Sequence, residues 1–124
     1  MTTKTGLLIV AHQPIASSIV EVAKMILKNV PDCIAVDIDS DQDPLLNEKK
    51  IQTARNKLKN ERIFLIEDIP YATPSNVARK ALNTEEIAII SPLSLHLLLK
   101  LINYRDLPLE DLKKKFKEIT VTVE

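Results

Sequence analysis

Gly6-Leu7-Leu8-Ile9-Val10-Ala11-His12-Gln13-Pro14 is the stretch on which the fold turns. Leu7 to Ala11 is an apolar run without polar alternation, the pattern of a strand covered on both faces. Pro14 then opens a segment in which Ile15, Ile19, Val22, Ala23 and Ile26 recur at helical spacing, before Pro31 ends it. The same pair of signals repeats along the chain. Cys33 to Ile38, Ile63 to Ile66 and Ile87 to Ile90 are further short runs rich in Ile, Val or Leu. Asp43-Pro44 supplies a cap and a first-turn proline for a second helix, with Ile51, Ala54 and Leu58 as its inward stripe. Thr73-Pro74 repeats that device, with Thr73 as the cap, before Val77, Ala78, Ala81 and Leu82. Ser91-Pro92 opens a fourth helix reaching about Tyr104, and Leu107-Pro108 a short fifth carrying Leu109, Leu112 and Phe116. The tail Ile119 to Val123 alternates, as an edge strand exposed on one face does.

Strands and helices that alternate without a linker or repeat predict a parallel sheet with helices on both sides, a small doubly wound three-layer α/β fold. Residues 1–124 are expected to form one domain. In such sheets ligands bind beyond the carboxyl ends of the strands, near the switch in strand order. The closing residues are His12, then Asp39 and Ser40, then Glu67 and Asp68, then Ser91.

Composition narrows the chemistry. Seventeen basic and seventeen acidic residues cancel, so no global field favours nucleic acid or an anionic membrane. Aromatic residues are 3 per cent, too few to line a single-strand groove. Gly6 is the sole glycine, so the chain has neither a Walker A loop nor a Gly-x-Gly-x-x-Gly turn, and nucleotide chemistry loses its usual cradle. Cys33, the single cysteine, lies in an apolar run and reads as a small core residue in a reducing compartment. Neither a signal peptide nor an apolar run of roughly 20 residues is present, so a cytoplasmic protein without membrane insertion is expected.

Two loops on the active edge carry the chemistry: Ala11-His12-Gln13, and Glu67 through Asn76. If the first and third strands are neighbours, Asp68 can accept a hydrogen bond from one nitrogen of His12 and leave the other free as a nucleophile. The Thr73 hydroxyl and the N–H groups opening the third helix would face the same point, a ready anion site. Glu67 reads as a solvated loop carboxylate, Ser75 and Asn76 as first-turn residues, His96 as a helix-surface or dimer-interface residue, and Lys113 to Lys115 as a solvated face.

The same residues resemble a family. A strand ending in His12-x-x-x-Ala16, then Asp68-x-x-x-Ala72-Thr73-Pro74-Ser75-Asn76-x-Ala78, is similar to the mannose-family IIA component of the bacterial phosphoenolpyruvate-dependent sugar phosphotransferase system. The stretch Tyr104 to Leu112 looks like the segment after the fourth helix in its short, stand-alone members. By that resemblance His12 takes a phosphoryl group from the carrier HPr and hands it to a IIB component. Asp68 orients His12, Thr73 bonds the phosphoryl group, and Gln13, Ala72 and Ser75 stand where the cradle would be. The resemblance implies no metal and no cofactor. It also implies four parallel strands plus a C-terminal antiparallel strand exchanged between the subunits of a homodimer.

The chain departs from the family at its glycines: Gln13 follows the histidine, and Pro70-Tyr71-Ala72 precede the threonine. A further motif after the fourth strand appears as Ser91-Pro92-Leu93-Ser94-Leu95-His96-Leu97. Two other readings therefore stand beside the phosphocarrier. One is a degenerate regulatory or binding module that keeps the fold without carrying phosphate. The other is a response-regulator receiver, for which Asp68 is well placed but the further acids that hold Mg²⁺ and the closing lysine are lacking.

Overall fold

In a computed structural model, which describes residues 4–117 and 122–124, one sheet is built from β1 (Thr5–His12), β2 (Cys33–Ile38), β3 (Arg62–Glu67), β4 (Ala88–Ser91) and β5 (Thr122–Val123). Their order is β2-β1-β3-β4-β5. The first four run parallel, and β5 lies antiparallel to β4, with Ile90 opposite Val123 and Ser91 opposite Thr122. The expected doubly wound sheet is present. Residues 119–121 of the expected tail strand lie outside the described residues.

The unbroken apolar run of β1 has its cause in its central place. Leu7, Leu8, Ile9, Val10 and Ala11 are all fully buried, because both faces are covered. Leu7, Ile9 and Ala11 pack under the helices α1 (Ile15–Leu27), α4 (Leu95–Tyr104) and α5 (Leu109–Lys115). Leu8 and Val10 pack on the other face under α2 (Pro44–Lys57) and α3 (Thr73–Ala81). Gly6 is fixed by close approach: a Cβ there would lie 2.8 Å from Asn60 Oδ1.

Three details differ from the sequence reading. The inward stripe of α1 is Ala16, Val20 and Ala23, while Ile15, Val22 and Ile26 are exposed. Ala23 is in the stripe as read and Ile19 packs partly against the core, while small residues at 16 and 23 let the helix lie close to the sheet and turn Ile15, Val22 and Ile26 outward. The helix read from Ser91-Pro92 begins at Leu95, because Ser91 still belongs to β4 and Ser94 is the cap, its hydroxyl accepting from the Leu97 N–H at 3.0 Å. A short 3-10 turn at Thr84–Glu86, not anticipated, leads into β4. By contrast Asp43 caps α2 as read, accepting from the Leu45 N–H with Pro44 in the first turn. Ser94→Ala should lower stability by about 1 kcal/mol, read from the urea midpoint at unchanged m-value.

The end of the sheet away from His12 is tied by two arginines. Arg105, buried, donates to the carbonyls of Pro31 and Asp32, and Arg62 donates to those of Arg105 and Leu107. Cys33 lies half-buried nearby, and burial pushes its thiol up to about 11, so it stays protonated and inert at neutral pH.

Candidate functional site

With this strand order the chain runs from β1 outward to β2 and then crosses back to β3 on the other side of β1, so the crevice opens between β1 and β3. His12 closes β1, and Asp68 directly follows β3. Their side chains meet: His12 Nδ1 lies 2.6 Å from Asp68 Oδ2. The same oxygen accepts the backbone N–H of His12 at 3.0 Å, and Asp68 Oδ1 accepts the N–H of Ile69 at 2.9 Å. Burial pushes the Asp68 carboxyl up, but the hydrogen bonds from His12 and Ile69 outweigh it and hold its pKa below the ordinary carboxylate value. An ionised carboxylate only accepts, so the Nδ1 contact assigns the proton to that nitrogen. The Nε2 lone pair is then free. The His12 side chain is 35% exposed and that of Asp68 only 9%, an accessible nucleophile on a fixed support.

The four-residue loop Ile69 to Ala72 joins Asp68 to α3. The first i to i−4 bond of that helix runs from the Asn76 N–H to the Ala72 carbonyl at 2.9 Å, so Ala72 occupies the cap position. Thr73, read from the sequence as the cap, is instead the first helical residue. Its hydroxyl is exposed and has no protein partner among the described residues. First-turn N–H groups at Thr73 and Ser75 lack intrahelical carbonyl partners, and Pro74 between them has no N–H. These donors and the Thr73 hydroxyl lie at the end of α3 where the helix dipole favours a negative charge.

The remaining cradle candidates are placed differently. The Gln13 N–H is taken by the Ile38 carbonyl at 3.0 Å, leaving only its exposed side chain to face a ligand. The Ala72 N–H bonds the Ile69 carbonyl at 3.4 Å within the loop. The Ser75 hydroxyl is buried and donates to Glu67 Oε1 at 2.9 Å. Glu67, read as a solvated loop carboxylate, is fully buried at the end of β3. Its Oε2 has no hydrogen-bond partner among the described residues, and burial raises its pKa against the opposing effects of Ser75 and Arg79. The signal in the sequence was the alternation Ile63, Leu65, Glu67, which puts Glu67 on an inward face. His96 is exposed on α4, as read. Among the described residues no group of three or more His, Cys, Asp or Glu side chains is placed to hold a metal ion.

Tyr71 stands where the family pattern has glycine, and its φ is 63°, in the left-handed region. That conformation costs a residue with a Cβ about 1–2 kcal/mol. It is held by the Asn76 side chain, which donates to the Tyr71 carbonyl at 3.1 Å, and by contacts of the ring with Arg79 and Glu124. Tyr71→Ala and Tyr71→Gly lose the same ring contacts but only Ala retains the strain. Tyr71→Gly should therefore be the more stable of the two by about 1 kcal/mol in urea unfolding.

Several solved structures share this architecture. A phosphotransferase-system IIA protein associated with the fucose utilization operon of Streptococcus pneumoniae superposes with a TM-score of 0.76 at 20% identity, over 94% of this chain and 91% of that one. A mannose/sorbose specific IIA subunit from Enterococcus faecalis gives 0.78 at 19% identity, over 94% and 89%. The EIIA component from Streptococcus agalactiae gives 0.74 at 19%, over 90% and 88%. At such identities the likeness concerns the fold. Among curated proteins, none matches the sequence. The family model described as "PTS system fructose IIA component" matches residues 6–120. That span takes in His12, Asp68 and the whole of α3, and the chain belongs to the fructose and mannose IIA family of the sugar phosphotransferase system.

Proposed function

We propose that His12 accepts a phosphoryl group from HPr on Nε2 and passes it to a IIB component, or holds it in a regulatory branch of the system. The observation that carries this reading is the 2.6 Å contact between His12 Nδ1 and Asp68 Oδ2. As Nε2 bonds to phosphorus, the N–P bond of the donor imidazole breaks and its electron pair returns to that ring. No proton changes hands in the transfer. Positive charge developing on the His12 ring is offset by the Asp68 carboxylate, and the α3 donors with Thr73 meet the equatorial oxygens. Alignment of two carriers by docking supplies the remainder, with no metal or cofactor in the step.

Incubation of the wild-type chain with phosphoenolpyruvate, enzyme I and HPr should yield an acid-labile, alkali-stable phosphoryl label. A chain that stays unlabelled while a IIA control is labelled would sink the reading and favour a binding module without phosphate. Against that module stands the backbone at Tyr71, which holds a left-handed turn without a glycine.

The same reading makes residues 1–124 a single domain working in the cytoplasm, where its phosphoryl donor resides. Among the described residues no helix is long and apolar enough to cross a membrane. It also makes the protein a homodimer that exchanges β5. Here, among the described residues, β5 pairs with β4 of its own chain through Thr122 and Val123, with Glu124 bonded to Ile89 beyond them, a short contact that a second copy could replace. Sedimentation equilibrium should report a dimer, and a monomer at micromolar concentration would remove this part of the proposal.

A further inference from the structure

Arg79 is the centre of a set of contacts beside the His12–Asp68 pair. Its Nη2 lies 2.6 Å from Glu124 Oε2 and 3.6 Å from Glu67 Oε1. Its Nε donates to Ser75 Oγ at 3.2 Å, and its guanidinium lies over the Tyr71 ring, 4.8 Å from the centroid. The Tyr71 hydroxyl in turn donates to Glu124 Oε1 at 3.1 Å. One carboxylate, next to β5, thus grips both Tyr71 and Arg79. Glu124 is itself placed by its N–H to the Ile89 carbonyl at 2.9 Å and by the Ile89 N–H to its own carbonyl at 3.3 Å.

These contacts reach the site at two points. Tyr71 lies in the loop between Asp68 and α3, in a backbone conformation that persists only where its surroundings over-determine it. Ser75 lies in the first turn of α3, and its hydroxyl is held between Glu67 and Arg79. Without Glu124, Arg79 keeps a single carboxylate, the buried Glu67, and Tyr71 loses its hydroxyl partner. Both restraints on the loop would then weaken together.

We propose that Glu124 is a positioning residue: by clamping Arg79 and Tyr71 it fixes the Ile69 to Ala72 loop and the first turn of α3, so that the seating of β5, the chain's own or one exchanged from a second copy, sets the competence of the His12 site. The link to competence rests on the phosphocarrier reading; the link to the loop does not. Glu124→Ala, Glu124→Gln and Arg79→Lys test it, with Thr122→Ala as an exposed change in the same strand that leaves the clamp intact.

Hydrogen exchange reads the loop directly. In Glu124→Ala the amides of residues 69–76 should exchange about tenfold faster, with β1 and α2 unchanged, and Thr122→Ala should match wild type. Glu124→Gln keeps an acceptor for Tyr71 without the charge for Arg79 and should fall between. Unchanged loop exchange in Glu124→Ala overturns the proposal. In the labelling assay Glu124→Ala should lower kcat about tenfold while KM for HPr holds, and Arg79→Lys should retain part of the rate. An equal loss in Thr122→Ala would mean that Glu124 acts no differently from any other residue of the strand and would overturn its role as a positioning residue. If wild type takes no label at all, the phosphocarrier reading falls, and the exchange data still decide whether Glu124 positions the loop.

Discussion

His12→Ala should take no acid-labile phosphate under conditions that fully label the wild type. The loss should be complete, because the chain has one other histidine, and His96 stands exposed on α4 with no hydrogen-bond partner among the described residues. A ring that no carboxylate orients populates both tautomers and has nothing to offset its charge on phosphorylation. His96→Ala should therefore label like wild type. The fold should survive the first change. The backbone N–H of residue 12 still reaches Asp68 Oδ2, and the lost ring is 35% exposed, so little apolar burial disappears. An unchanged circular dichroism spectrum beside a missing label would isolate the chemistry. Equal labelling of His12→Ala and wild type would instead move the acceptor elsewhere on the chain.

Some of this was legible in the residues, and the reasons for the rest are physical. The run Leu7 to Ala11 read as a strand covered on both faces, as did the other three runs from the same lack of alternation, and that is how β1 is buried. The stripe of α1 misled because Ile15, Val22 and Ile26 share the helical period with Ala16, Val20 and Ala23. Periodicity names a spacing, and packing distance chooses which set of residues fits beneath it. The pairing of His12 with Asp68 could be anticipated because each closes a strand and the switch point lies between those strands. Arg79 and Glu124 could not. Their contact spans forty-five positions and depends on where β5 docks, which no local pattern encodes.

The missing glycines show how the site tolerates its own departures. Glycine would give the loop a left-handed residue without steric cost. Here Tyr71 adopts the same region and is restrained by Asn76 at its carbonyl, Arg79 at its ring and Glu124 at its hydroxyl. A conformation that glycine reaches through freedom is reached through contacts, which makes the loop dependent on side chains outside it. Gln13 needs no such support, since its N–H continues the pairing toward Ile38.

Asp68→Ala should slow phosphoryl acceptance on the order of a hundredfold without abolishing it, because Nε2 remains a nucleophile but loses the fixed tautomer and the offsetting charge. Asp68→Asn should lie between the two, since an amide oxygen still accepts from the Nδ1 and backbone N–H groups but carries no charge. Stability supplies an independent check with a defined sign. The folded pKa of Asp68 lies below its ordinary value of 3.8, so its stabilisation is full above pH 3.8 and is lost as pH falls through the lowered value. The stability gap between wild type and Asp68→Ala should therefore be flat at higher pH and close only in acid. Glu67 behaves in the opposite sense. Its folded pKa is raised above 4.5, so its contribution is full below that value and declines as pH rises past it. Its decline is common to wild type and Asp68→Ala and cancels in the gap between them, so a gap that stayed constant down through acid would mean that the Asp68 carboxylate is not held ionised by the His12 ring and the Ile69 N–H.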